Sequence, residues 1–269
     1  MSLPGAPHPA QSAATQQLYT LPNGMAVACG NGRIADFMHN EVFLQQVYRR
    51  HGVTIGDNAC VVDAGANIGL FSIFASQSAR NVRVYAFEPI PRTFKQLQLN
   101  VLTHAVGVRA FECGVSDADK VVTFTAYPQM SVISGCHIDQ DIDQRMRDAM
   151  TTQIAGMGMP RFFARRYVKE AMQSRQVECR VARLSTIIAE QRLERIDLLK
   201  IDVECSEVEA LRGISDEHWP RIRQLIVETH DEALLNEVTG VLRAKGYSTV
   251  VEPDPGLESV SLVYALPHA

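Results

Sequence analysis

Long hydrophobic runs, paired cysteines and blocks of positive charge are all missing from this 269-residue chain, and each absence removes a class of protein. No apolar stretch approaches the roughly 18 residues that a membrane-spanning helix needs, so no membrane partner is expected. The six cysteines (Cys29, Cys60, Cys113, Cys136, Cys179 and Cys205) form no CxxC pair and are scattered along the chain. That spacing suits reduced thiols in a cytoplasmic protein rather than a disulfide framework. The net charge is −4 and no basic block stands out, which argues against a nucleic-acid partner. Residues 1–17 are rich in Ala, Pro, Ser and Gln and lack the basic and apolar halves of a signal peptide, so they read as a loose arm. No internal repeat is visible. What remains is a chain with 46% apolar residues, enough for a substantial core, and a length that suits one large domain with a cap.

The order of periodic segments implies an α/β domain. Residues 18–29 suggest a hairpin turning at Pro22, Asn23 and Gly24, and residues 36–50 suggest a helix that caps the core sheet. From residue 59 strand and helix patterns alternate. Strands are expected near 60–63, 82–87, 108–113, 196–201 and 222–228, with helices near 70–78, 91–103, 184–190, 204–212 and 233–245. Alternation of this length implies five parallel strands joined by right-handed crossovers. A C-terminal hairpin, 247–251 with 260–266, closes the domain. Residues 121–126 read as an extra strand. The Met- and Arg-rich stretch at about 127–182 reads as a helical lid inserted between core strands.

The chemistry gathers at strand ends. An apolar run ending in Asp63 is followed by the small-residue turn of Gly65, Asn67 and Gly69, the form of a nucleotide-cradling turn before a helix. Glu88 ends the next strand, where such folds place a carboxylate that binds ribose hydroxyls. The turn lacks the Lys-Ser/Thr of a phosphate-binding P-loop, and the middle glycine position of a dinucleotide fingerprint holds Asn67. An acid at the mouth repels a pyrophosphate but favours a sulfonium cation, so S-adenosylmethionine is the expected cofactor, with a nicotinamide cofactor as the alternative. Asp202 and Glu204 lie at the tip of another strand, suited to a metal, a cofactor amine or a base, whereas Glu207 equally suits the N-terminus of the following helix. His230, beside Glu228 at the last strand tip, titrates near neutrality and is the first candidate for a general base; His137 is a weaker one. Asp202, Glu228 and His230 together form a conceivable metal site, but spacing alone establishes none, and no metal is assigned.

DAGANIG at 63–69, YAFEPIP at 85–91, CGVSD at 113–117, LLKIDVECSEVEALRGI at 198–214 and IVETHD at 226–231 together resemble the FkbM family of S-adenosylmethionine-dependent methyltransferases. LPNG at 21–24 and MSVISG at 130–135 resemble the branch found in polyketide and nonribosomal peptide biosynthesis. One departure is Cys205, where the family usually has glycine or another small residue. The resemblance implies a class I methyltransferase (Rossmann-like) fold and methyl transfer to a hydroxyl or carboxyl of a natural-product or related acceptor, free or carrier-protein-bound. N- or C-methylation and a non-catalytic adenosyl-binding module are the alternatives. It implies that Asp63, Gly65, Asn67 and Gly69 line the methionine end, that Glu88 holds the ribose, and that Ser116 and Asp117 lie near adenine. His230 and Asp202 are the catalytic candidates, and Asp202 also belongs to the expected cofactor site.

Overall fold

The computed structural model describes residues 18–138, 140–254 and 260–268, so the expected arm at 1–17 lies outside the described residues. The chain opens with a short antiparallel hairpin, β1 (Leu18–Thr20) and β2 (Ala26–Ala28), and then α1 (Gly32–His39). The core begins with β3 (Cys60–Ala64), α2 (Leu70–Gln77), β4 (Arg83–Phe87), α3 (Pro91–His104) and β5 (Val108–Phe111). Next come β6 (Gly114–Ser116), β7 (Lys120–Ala126), α4 (Gln140–Gly156), α5 (Arg161–Ala171), β8 (Arg175–Arg183) and α6 (Leu184–Glu190). The chain finishes with β9 (Leu198–Ile201), α7 (Glu207–Arg212), β10 (Leu225–Thr229), α8 (Glu232–Ala244), β11 (Tyr247–Pro253) and β12 (Ser261–Pro267).

The main sheet has seven strands in the order β11-β12-β10-β9-β3-β4-β5. Neighbours from β10 to β5 pair in parallel, while β12 runs antiparallel to both β10 and β11. This is the class I methyltransferase sheet: five parallel strands plus a C-terminal hairpin whose second strand inserts between the fifth strand and its own partner. Both faces are covered. Val62, Ala64, Leu199 and Val227 join one apolar cluster, and Val61, Leu198, Ile226 and Tyr264 join the other. Strands buried on both sides need apolar residues at nearly every position, which is why they read as continuous apolar runs.

Several boundaries differ from the sequence expectation for local reasons. The helix expected at 36–50 starts earlier, at Gly32, where the Asn31 side chain caps Arg33 N at 3.0 Å. It passes into a π-helical turn at Asn40–Gln45 and breaks at Gln46, whose φ of 49° is left-handed. The strand expected at 108–113 ends at Phe111, and β6, which follows it, leaves the main sheet for a separate three-stranded sheet ordered β6-β8-β7. The expected helical insertion at 127–182 is helical in α4, α5 and a short 3-10 turn at Ser131–Ile133; its last residues belong to β8, which pairs with β7 and, at its end, with β6. The helix expected from residue 204 begins at Glu207, because Glu204 and Cys205 take left-handed φ values of 54° and 69°.

Asn100 fastens the N-terminal hairpin to the core. Its side-chain oxygen accepts the Ala28 N–H at 2.7 Å, and its amide donates to Ala28 O at 2.9 Å and Ile68 O at 2.8 Å. The residue is 1% exposed, so no water takes over these bonds when the amide is lost. Asn100→Leu is therefore expected to cost about 2–4 kcal/mol of stability, the penalty for orphaning buried backbone groups. Chemical denaturation measures it; an unchanged midpoint would show that the hairpin is not held this way.

Candidate functional site

The carboxyl ends of the parallel strands open into a cavity of about 480 Å³. Its floor is the β3–α2 turn, and its walls come from the tips of β4, β9 and β10, from the end of α1 and from the 131–137 loop. This is the edge at which open α/β sheets bind ligands.

The turn is shaped by close backbone approach. Gly65 has φ 79°, and a Cβ there would lie 1.7 Å from Asp202 O. Only glycine lets the tips of β3 and β9 come this close. The Gly65 and Ala66 N–H groups both donate to Phe87 O, at 3.0 and 2.9 Å, and the Asn67 N–H donates to Glu88 at 3.0 Å. These three donors are therefore spent on the β4 tip, and the turn does not offer them to a ligand as a phosphate cradle would. Ser131 Oγ donates to Asn67 Oδ1 at 2.9 Å, so the 131–137 loop closes over the turn.

Glu88 lines the cavity at the end of β4 and is 5% exposed. Its two carboxyl oxygens accept from Asn67 N and, at 2.9 Å, from Ile90 N. Burial outweighs these bonds and pushes its pKa up to about 7. Each oxygen keeps a further lone pair for a hydroxyl donor.

At the tips of β3 and β9 acids gather around one buried cation. Asp63 and Lys200 are register partners on β3 and β9, and strand alternation turns both toward the same face. Lys200 Nζ donates to Asp202 Oδ2 at 3.0 Å and to Gly65 O at 3.2 Å, and lies 3.4 Å from Asp63 Oδ1. The rings of Tyr48 and Phe71 stand 5.7 and 5.8 Å from it. Burial alone would lower the Lys200 pKa, but Asp202 and Asp63 raise it above its ordinary value, so the amine is a permanent cation. Asp63 also accepts from Ser72 Oγ at 2.6 Å.

Beyond this cation four further carboxyl groups crowd together, and burial favours their neutral forms. Glu204 and Glu228 have pKa values pushed well up by burial and by Asp202; Glu207 is raised to about 8 and Glu41 to about 7, in both cases chiefly by burial. His230 is shifted the other way, its charged form disfavoured by burial. Its Nε2 lies 3.7 Å from both Glu204 Oε2 and Glu207 Oε1. Asp202, Glu228 and His230 each offer a ligand atom within 4.8 Å of the other two, close enough to surround a cation.

The expected site residues divide in two. Gly65, Asn67, Glu88, Ser116, Asp202 and His230 line the cavity. Asp63, Gly69 and Asp117 do not. Asp63 is completely buried behind Lys200; at Gly69 an added Cβ would strike Leu97, a packing constraint; and Asp117 pairs with Lys120 at 2.8 Å near the surface. His137 sits in the cavity wall, half exposed, 3.3 Å from Glu209. Within the expected lid at 127–182 the wall residues come from the 131–137 loop and Val181 rather than from its helices: among the described residues none of α4 or α5 lines the cavity, and both pack behind the loop through Met146, Met150 and Val168. Sequence reasoning missed Lys200, Glu41 and Tyr48. The signal for Lys200 was present, because a lone charge inside an apolar strand needs a buried partner.

Residues 63–249 match the Methyltransferase FkbM domain. The 31-O-demethyl-FK506 methyltransferase FkbM of Streptomyces tacrolimicus is 40% identical over 236 residues, which cover 87% of this chain and 90% of that protein. Methyltransferase 1 of Beauveria bassiana is 33% identical over 235 residues, covering 85% and 88% respectively. The AMB antimetabolite synthetase AmbE of Pseudomonas aeruginosa is 33% identical over 250 residues, 88% of this chain but only 12% of the synthetase. With a family match over most of its length and the sheet order described above, the chain belongs to the FkbM family of methyltransferases.

Proposed function

We propose that the chain transfers a methyl group from S-adenosylmethionine to an oxygen of a natural-product acceptor, either free or borne on a carrier protein. The observation that carries this reading is the arrangement of acids around the cavity: one buried carboxyl, Glu88, at the tip of β4, and on the other side of β3 the cluster of Asp202, Glu204 and Glu228 at the tips of β9 and β10. Glu88 suits the two ribose hydroxyls, since both of its oxygens are fixed by backbone donors and retain acceptor capacity. The acidic cluster suits the cationic methionine portion, because carboxyl groups kept neutral by burial and mutual repulsion ionise more readily when a cation is brought among them. Val115, Val181 and Ser116 supply a largely apolar wall for the adenine. The relatives point the same way: the Streptomyces tacrolimicus protein is named for O-methylation, and the similar segment of AmbE belongs to a synthetase.

When bound, the cofactor supplies a methyl group already activated on sulfonium. The protein's task is then to position the acceptor, exclude water and take a proton. His230 is held neutral by burial and lines the cavity beside Asp202, so its imidazole can accept the acceptor's hydroxyl proton. The resulting imidazolium faces Glu204 and Glu207, which stabilise it. A hydroxyl needs such a base and a neutral amine does not, which favours oxygen over nitrogen as the methylated atom.

Glu88→Ala is expected to weaken S-adenosylhomocysteine binding by about 1–3 kcal/mol. Calorimetry reads this directly, and unchanged affinity removes the ribose assignment. His230→Ala should depress kcat while leaving the cofactor Kd near wild type; wild-type turnover in that variant eliminates His230 as base. Labelled cofactor with candidate acceptors and mass spectrometry tests the reaction itself.

The pH dependence has a defined sign. Glu88 titrates at about 7 in the free protein, and ribose hydroxyls require its ionised form. Binding must then release a proton below that pH, so S-adenosylhomocysteine affinity should fall by up to about tenfold per pH unit as pH drops below 7. Glu88→Gln should flatten the profile. A profile just as steep in that variant would assign the titration to another group.

A further inference from the structure

A second, smaller cavity of about 170 Å³ adjoins the first, sharing Ile90 and Ser134 with it. Its chemistry is the reverse of the main cavity's. Among the described residues no acidic side chain lines it, while Arg92 and Arg175 both do, and neither makes an ion pair with a carboxylate. It lies against the first turn of α3, a 14-residue helix whose N-terminus has no side-chain cap. An uncapped first turn carries free N–H donors and a positive end charge. Independently of the helix end, Thr93 and Gln96 line the cavity at 6% and 4% exposure, and among the described residues neither side chain makes a hydrogen bond. The Gln96 amide and the Thr93 hydroxyl are therefore free to donate to a group that enters the cavity. Tyr127 and Val177 add apolar wall.

We infer that this cavity is an oxyanion subsite that takes a phosphate ester or carboxylate, with Arg92 and Arg175 supplying charge and Thr93 and Gln96 supplying neutral donors. Ile90 and Ser134 line both cavities, so the two sites are close enough for such a group to be one arm of a molecule that also reaches the strand tips. No methyl transfer is needed for this binding, so the inference goes beyond the proposed reaction.

Calorimetric titration of the full chain with inorganic phosphate and with n-butyl phosphate tests it, with and without S-adenosylhomocysteine. Saturable binding is expected, weakened about tenfold or more in the Arg92→Ala/Arg175→Ala double variant, since charge-assisted bonds to both guanidinium groups are lost. Gln96→Leu should weaken it several-fold at an unchanged melting temperature. Tighter binding of n-butyl phosphate than of inorganic phosphate identifies an arm of a larger ligand; equal binding identifies a site for free phosphate. Absence of saturation in the wild type, or wild-type affinity in the double variant, overturns the inference. S-adenosylhomocysteine binding in the same preparations reports on the main cavity alone, so failure of the cofactor assignment is seen separately.

Discussion

The site depends on one buried cation. Lys200 is 3% exposed, yet its ammonium is held by Asp202, Asp63 and the Gly65 carbonyl, groups from the tips of both β3 and β9. Taking an amine out of water costs several kcal/mol, and only this set of partners offsets it. In return the ammonium neutralises Asp63, which is fully buried and otherwise strongly disfavoured as an anion. It also fixes Asp202 at the cavity wall and pins the glycine turn. The close contact between Gly65 and the Asp202 backbone, the placement of Asn67 against Glu88, and the gathering of acids at the cavity wall all follow from strand tips drawn together around this charge.

Much of this was legible in the sequence. Apolar runs ending in acids located the carboxyl edge, and Glu88, Asp202 and His230 do face one cavity. Lys200 was hidden because a strand identified by its apolar character invites no question about its one charged residue. The 127–182 stretch misled through composition: methionine and arginine dominate it, but Val177, Cys179 and Val181 alternate inward as strand residues do. The late start of α7 had no readable cue, since two adjacent non-glycine residues take left-handed φ at Glu204 and Cys205. Cys205 stands where the family more often has a small residue such as glycine, and the positive φ gives that preference a physical reason.

Two elements outside the parallel core also line the cavity. The segment after α1 brings Glu41 and Tyr48 from one side, and the 131–137 loop brings Ser131 and His137 from another. The loop is backed by α4 and α5 and anchored by the Tyr127 hydroxyl, which donates to Asp143 at 2.6 Å. Ser131 ties this loop to the β3–α2 turn through Asn67, so the position of the loop and that of the turn are linked across the cavity.

The position of β12 bears on the order in which the molecule is made. It is threaded between β10 and β11 and hydrogen-bonds to both, so β11 has no sheet partner until residues 261–267 are present. During vectorial synthesis the nascent sheet therefore waits with β10 as a bare, apolar margin while α8 and β11 emerge behind it. One strand thus completes the hydrogen bonding of both of its neighbours.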